Sequence, residues 1–357
     1  MKIENLNCSQ LTIAHWEAWL HWHRDSDHLS SPFLHPSFTQ AVNAVRNDVE
    51  VAVISEQGEH IGFLPYQRKT RSAAKPVGGR LSDYQAIIGR PDLSFCPKDL
   101  LRSCRLTVFD FDHLLTNQTP FQPYHSTVDD SPYLDLSEGF ESYKEKLHKT
   151  GVSELKQTLR KERKMERELG PLRLEWMTND PSMLEQLMSW KSDQYHATGV
   201  TDVFSFAWTG KLLHSLLNYN QQEFSGALSV LFAGDRPVAT HMGMRGRDTL
   251  HWWFPTYNPQ FSQYSPGRVL LAKLAQACPN ESVGRIDLGR GMSSYKKRAM
   301  SGVITVAQGA VDLKPMRRAV REGWRTTRKW LKESPLHAPA RGPAKMAKRL
   351  RNWIEFR

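Results

Sequence analysis

The chain has 357 residues, enough for two ordinary domains, and its eleven tryptophans and fifteen phenylalanines supply bulk for sizeable cores. No window approaches the run of about 18 apolar residues that a membrane span needs, the opening MKIENLNCSQ lacks the apolar core of a secretory signal, and Cys8, Cys96, Cys104 and Cys278 have no metal-ligand spacing; a reduced, cytoplasmic setting without a metal centre is expected. The net charge of +11 is concentrated in residues 311–357, which carry fourteen Lys/Arg against four Asp/Glu, so the body is nearly neutral and a nucleic-acid surface there is not expected.

In chain order, Trp16, Trp19 and Trp22 recur at helical spacing and read as core packing, and 37–46 reads as a second helix. A hairpin follows, with strands at 49–54 and 61–65 about a Gln57-Gly58 turn. The stretch 78–84 leads into a strand ending at Ile88, 97–104 is a helix and 106–111 a strand, while Pro and Thr across 116–132 suggest a linker or surface loop. Ser153 is a candidate N-cap for a long, charged, largely exposed helix that Gly170-Pro171 stops. A strand at 172–176, helices at 180–196 and 204–219, and a second hairpin (227–232 and 238–244 about Gly234-Asp235) come next. A strand at 249–254, a helix opening at Ser265-Pro266-Gly267, a short strand around Ile286 and a last strand at 303–307 complete the body. Beyond it, Met316, Val320, Trp324 and Leu331, and then Met346, Leu350 and Trp353, mark two basic amphipathic helices.

Both halves share the order hairpin, strand, helix, strand, which suggests a weak duplication and two mixed sheets with helices packed on them. No strand–GxGxxG–helix unit is present, so a dinucleotide fold is not expected. The chemistry concentrates in 261–300, where a helix entrance suited to anions precedes Asp287-Leu288-Gly289-Arg290-Gly291 and the Tyr295-Lys296 pair.

These motifs carry a resemblance. Trp190-Lys191-x-x-Gln194-Tyr195, Ala239-Thr240-His241, Tyr257-Asn258-Pro259, Ser265-Pro266-Gly267, the Asp287 to Lys296 run and, in the first half, Leu81-Ser82-Asp83-Tyr84 resemble the BioF2-like/CelD-type acetyltransferases of bacterial polysaccharide biosynthesis, a FemAB-like group of tandem GNAT proteins. The likeness spans roughly residues 40–310. It implies an α/β fold of tandem GNAT-like mixed sheets flanked by helices: an N-terminal GNAT-like domain (1–145), a C-terminal acyltransferase domain (146–310) and a basic helical tail (311–357). One departure stands out. Where GNAT proteins carry Gln/Arg-x-x-Gly-x-Gly/Ala, this chain reads Gln263-Tyr264-Ser265-Pro266-Gly267-Arg268, which leaves fewer free amides for a pyrophosphate.

The resemblance implies transfer of an acyl group, acetyl in the first instance, from acetyl-CoA or another acyl-CoA to an amine or hydroxyl of a sugar or lipid-linked sugar precursor. Ser265, Gly267 and Arg268 would hold the donor phosphate, the bland reading being an ordinary capped helix. His241, mid-strand among apolar residues, is either a satisfied core histidine or the general base. Asp287 orients or deprotonates the acceptor, or caps its turn. Tyr295 would protonate the departing thiolate, with Lys296 lowering its pKa or binding phosphate. Asp83, Tyr84, Lys191, Gln194 and Tyr257 would line the acceptor side, while Trp252 and Trp253 read as core. Two other readings stay open: FemAB-like aminoacyl transfer from charged tRNA to a cell-wall precursor, and a non-catalytic binding module in polysaccharide assembly whose basic tail makes peripheral contact with the anionic inner membrane.

Overall fold

The computed structural model describes residues 1–150, 154–316 and 323. The Ser153 cap and the two amphipathic helices of the tail, with the membrane contact expected of them, lie outside the described residues. Among the described residues the strands are β1 (Lys2–Asn7), β2 (Val49–Glu56), β3 (Glu59–Thr70), β4 (Ala73–Pro76), β5 (Ile88–Gly89), β6 (Val108–Leu115), β7 (His125–Asp135), β8 (Leu172–Glu175), β9 (Asn220–Gln221), β10 (Phe224–Ala233), β11 (Arg236–Arg245), β12 (Thr249–Tyr257), β13 (Arg285–Asp287) and β14 (Gly302–Asp312). The helices are α1 (Ile13–Arg24), α2 (Pro36–Val45), α3 (Pro97–Ser103), α4 (Gly139–Lys149), α5 (Glu154–Leu169), α6 (Pro181–Thr198), α7 (Ala207–Leu217), α8 (Pro266–Ala277) and α9 (Ser294–Ala299).

The two expected sheets are joined into one mixed sheet, ordered β1-β2-β3-β4-β6-β14-β7-β13-β12-β11-β10-β8, with β5 on β3 and β9 on β10. The joint is made by β7. Its end pairs with β13, and its length pairs with β14, which returns from the far end of the chain to lie between β6 and β7. Residues 125–132, expected within a linker or surface loop, therefore form the middle of the sheet. Pro132 sits at the partner position of Val303 without ending the strand, and the exposed, mostly polar run from Thr127 to Asp130 concealed the pattern of a core strand. The opening strand β1 was also hidden in a segment read only for its aromatic residues.

Local chemistry explains most other elements. Gln57 and Gly58 both have positive φ, as a tight hairpin turn between twisted strands requires. Asp180 caps α6 through the Ser182 amide, and Gly199 ends it in the left-handed region. Period-two alternation divides β2 between two cores, with Val49, Val51 and Val53 on one side and Ala52 and Ile54 on the other.

The first core is shared by both halves. Trp19 of α1 and Phe38 of α2 join Leu184 and Leu187 of α6 and Leu212 and Leu216 of α7 in one cluster. On the other side of the second half, α4, α5, α8 and α9 pack on β7 and β10 to β13. The charged helix α5 is seated rather than free: Lys273 of α8 pairs with Glu162 at 2.5 Å, and the Tyr264 hydroxyl donates to Glu168 at 2.9 Å. No described helix is long and apolar enough to cross a membrane.

Candidate active site

The site begins where β12 and β13 part. These parallel strands pair over only three positions, ending at His251 opposite Asp287, while β12 continues to Tyr257. Past that point the sheet opens as a fork. A cleft of about 390 Å³ runs along the free stretch of β12, lined by Trp252, Pro255, Thr256 and Tyr257. Lys191 and Gln194 of α6 reach it from the first-core side, and Gly267 and Arg268 of α8 with Tyr295 of α9 from the other. Seven residues singled out in the sequence thus line one cleft: Lys191, Gln194, Tyr257, Ser265, Gly267, Arg268 and Tyr295.

The helix entrance is built differently from the expected cap. Ser265 adopts φ +54 and makes no side-chain cap hydrogen bond; Pro266 is the first helical residue and brings no amide. Gly267 leaves room toward the Tyr257 ring, which a Cβ would meet at 3.6 Å. Arg268 is bound to Glu154 of α5, and Arg298 of α9 pairs with the same carboxylate at 2.8 Å. The cation expected to meet a donor phosphate therefore already holds an anion.

Four more of the selected residues meet at the fork itself. Tyr84, from the first half, donates its hydroxyl to Asp287 Oδ2 at 2.5 Å, and the Ser131 hydroxyl lies 2.8 Å from the phenol oxygen. Asp287 Oδ1 accepts from the Gly289 amide at 2.8 Å. Asp83 lies beside them, with Oδ2 2.9 Å from His251 Nε2 and Oδ1 3.4 Å from His113 Nε2. Gly289 has φ +71, and a Cβ there would stand 2.4 Å from Asp83 Oδ2, so only glycine admits this approach. Lys296 donates to the carbonyls of Gly289 (3.0 Å) and Arg290 (3.2 Å), closing the turn over the carboxylates.

This cluster was only partly legible beforehand. His251 lies inside an ordinary strand pattern and His113 just past the strand expected at 106–111, so neither stands out in the sequence. Their signal is weak: a histidine at a fully buried strand position, which registers only when a carboxylate 168 residues away in sequence arrives beside it. His251 faces Asp83 with one nitrogen and Asp287, at 3.6 Å, with the other. His113 is flanked likewise by Asp83 and Asp112, and Gln85 holds Asp112 at 2.7 Å.

The electrostatics follow from burial and these partners. Burial pushes the Asp83 carboxyl up, but the His251 hydrogen bond and the charges of His113 and Lys296 prevail and hold it down at about 2. Burial and the Asp287 charge raise the Tyr84 phenol well above its ordinary value. Burial, reinforced by Lys296, pushes Lys191 down to about 8; its ammonium donates to Gln194 Oε1 (2.9 Å) and the Pro255 carbonyl (2.7 Å). Burial also lowers Lys296, against the pull of Asp83 and Asp287, and raises Tyr295, against the Trp252 indole.

His241 lies apart from both groups. It is fully buried on β11, stacked on Trp252 at 4.5 Å, and its Nε2 donates to the His251 carbonyl at 3.1 Å. Burial holds it at about 3, and Gly243 supplies the space this ring occupies.

Comparison with known proteins fits this geometry. Residues 153–297 match the family described as acetyltransferase (GNAT) domain. None of the curated proteins matches the chain. Among solved structures, FemX is similar over 90% of this chain and 99% of its own, with 8% identity and a TM-score of 0.58. A conserved protein of unknown function from Bacteroides thetaiotaomicron is similar over 85% of this chain and 98% of its own (11% identity, TM-score 0.53). The C-terminal domain of a protein assigned as a lysylphosphatidylglycerol synthetase from Agrobacterium fabrum is similar over 87% and 95% (12% identity, TM-score 0.51). Residues 153–297 are thus similar to a GNAT domain, and the chain shares the tandem GNAT-like mixed-sheet fold of FemX.

Proposed function

We propose that the protein transfers an acyl group, acetyl in the first instance, from a coenzyme A thioester to an amine or hydroxyl of a sugar or lipid-linked sugar precursor. The observation that carries this reading is the fork between β12 and β13, whose cleft receives side chains from both faces of the sheet. A donor entering along α8 and α9 and an acceptor entering along α6 would meet beside Trp252. The thioester carbonyl would be polarised by β12 amides freed at the fork, and Tyr295 would protonate the leaving thiolate. Tyr257 offers a half-open ring to a sugar, and Lys191 and Gln194 offer polar contacts beside it. His241 would serve by bracing β12 and the Trp252 ring, and Asp287 by holding Tyr84 and the Gly289 turn.

Calorimetry with coenzyme A and a thiol-release assay with acetyl-CoA test this reading. Micromolar binding with thiol release is the expected result; neither binding nor release overturns it.

One observation favours a second reading. Arg268 is committed to Glu154 and Pro266 removes an amide, so the phosphate site is less open than a pyrophosphate needs. FemX and the lysylphosphatidylglycerol synthetase domain share the fold, and an aminoacyl-tRNA donor with a lipid or cell-wall acceptor is the corresponding alternative. It requires a salt-sensitive complex with bulk tRNA in a gel shift, and absence of that complex rejects it.

A further inference from the structure

The buried acid–histidine cluster is larger than the proposed transfer requires of a scaffold. It runs from Asp112 through His113, Asp83, His251 and Asp287 to Tyr84 and Ser131, with neighbouring polar atoms 2.5–3.6 Å apart. It draws on β6, β7, β12, β13 and the loop before β5. Most of it is sealed: His251 is fully buried, and Tyr84, Asp287 and His113 are nearly so. The two exceptions are Asp83 and, at the far end of the chain of contacts, Asp112, with side chains 24% and 22% exposed.

Asp83 is also placed at the fork. Its carboxylate adjoins His251, the last residue of β12 that pairs with β13, and packs against the Gly289 turn that follows β13. Its charge reaches Lys296 of α9 and Tyr195 of α6, two of the helices that flank the cleft. Histidines on two different strands hold its two oxygens, one each, so the carboxylate is fixed in direction.

Resting on the acyltransferase reading, we propose that Asp83 is the proton acceptor of the reaction, with His251 and His113 as the residues that position it. The first half of the chain thereby supplies the base, and the GNAT domain supplies the donor site. As the acceptor nitrogen or oxygen bonds to the thioester carbon, it gains positive charge and becomes strongly acidic. An ionised carboxylate then suffices to take its proton. The new C–N or C–O bond forms, the C–S bond breaks, the thiolate takes the Tyr295 proton, and solvent then reprotonates Tyr295 and discharges Asp83. The groups facing Asp83 are His251 from β12 with Asp287 of β13 behind it, His113 from β6 with Asp112 behind it, Lys296 from α9 and Tyr195 from α6.

The test uses the full chain and acetyl-CoA alone, with water as the acceptor, and reads thiol release from pH 4.5 to 8 beside coenzyme A binding. Asp83→Asn should lose about 100-fold or more in kcat and keep its coenzyme A affinity. His251→Gln should lose roughly tenfold and gain an acid limb that the wild type lacks in this range. Without the His251 donor, burial dominates at Asp83 and its carboxyl titrates upward. His113→Gln, at the longer contact, should shift the same way by less, and it keeps the test open if His251→Gln does not fold. An Asp83→Asn rate within about threefold of the wild type overturns the assignment. A His251→Gln or His113→Gln loss with no new acid limb also overturns it, because an imidazole that only supports the fold would not move that limb. A wild type that neither binds coenzyme A nor releases thiol instead overturns the acyltransferase reading beneath it.

Discussion

Replacing Tyr84 by Phe removes one oxygen from the centre of the molecule and leaves the ring in place. In the structure that oxygen is 2.5 Å from Asp287 Oδ2 and 2.8 Å from Ser131 Oγ, and both Tyr84 and Asp287 are about 2% exposed. A hydrogen bond to a charged group contributes about 1.5–3 kcal/mol, and a buried acceptor left without its donor keeps its full desolvation cost. Asp287 would retain the Gly289 amide, with the His251 ring 3.6 Å away, and Ser131 would lose a partner. The expected destabilisation is about 2–4 kcal/mol. Urea unfolding followed by tryptophan fluorescence measures it. A cycle with Asp287→Asn separates the pair from general packing, with an expected coupling of about 1.5–3 kcal/mol. A coupling below about 0.5 kcal/mol, the level at which distant sites simply add, would refute the claim that this contact joins the first half of the chain to the fork.

Three further predictions rest on other parts of the site. Gly289→Ala places a Cβ 2.4 Å from Asp83 Oδ2 at φ +71; it should cost about 1–2 kcal/mol in backbone strain alone and disturb Asp83, read as a lower urea midpoint with lost thiol release and intact coenzyme A binding. Glu154→Gln leaves Arg268 and Arg298 without their shared anion, so coenzyme A affinity by calorimetry should rise about three- to tenfold; an unchanged affinity would place the donor phosphate elsewhere. Burial holds His23, His35 and His241 down at about 4, 3 and 3, against 6.5 unfolded. Across that window the unfolded chain binds protons that the folded chain does not. The stability of keeping them neutral is therefore complete above pH 6.5 and lost as the pH falls toward those lowered values, by up to about 1.4 kcal/mol per unit and group. Urea midpoints at pH 7 and 4.5 check this, and equal midpoints would refute it.

Short-range physics made much of this protein readable from its sequence alone. Both hairpins, the α6 helix expected at 180–196, the Pro266 start of α8 and the Trp face of α1 follow from residue type and spacing within a few positions. Most of the cleft lining was legible too, through the family resemblance, whose motifs contain Lys191, Gln194, Tyr257, Gly267, Arg268 and Tyr295. What the sequence left undecided involves partners far apart along the chain. The role of β7 depends on β14 arriving more than 160 residues later, and its exposed polar run carries no sign of that pairing. His241 and His251 sit in neighbouring strands with similar patterns. Among the described residues one has its polar partner in a backbone carbonyl, and the other lies between two carboxylates. Local preference acts between near neighbours, whereas the environment of a buried polar group is set by which strands meet across the sheet. Only the tertiary structure brings Asp83 of the first half to the end of β12, and only there does a histidine in an apolar strand acquire a function.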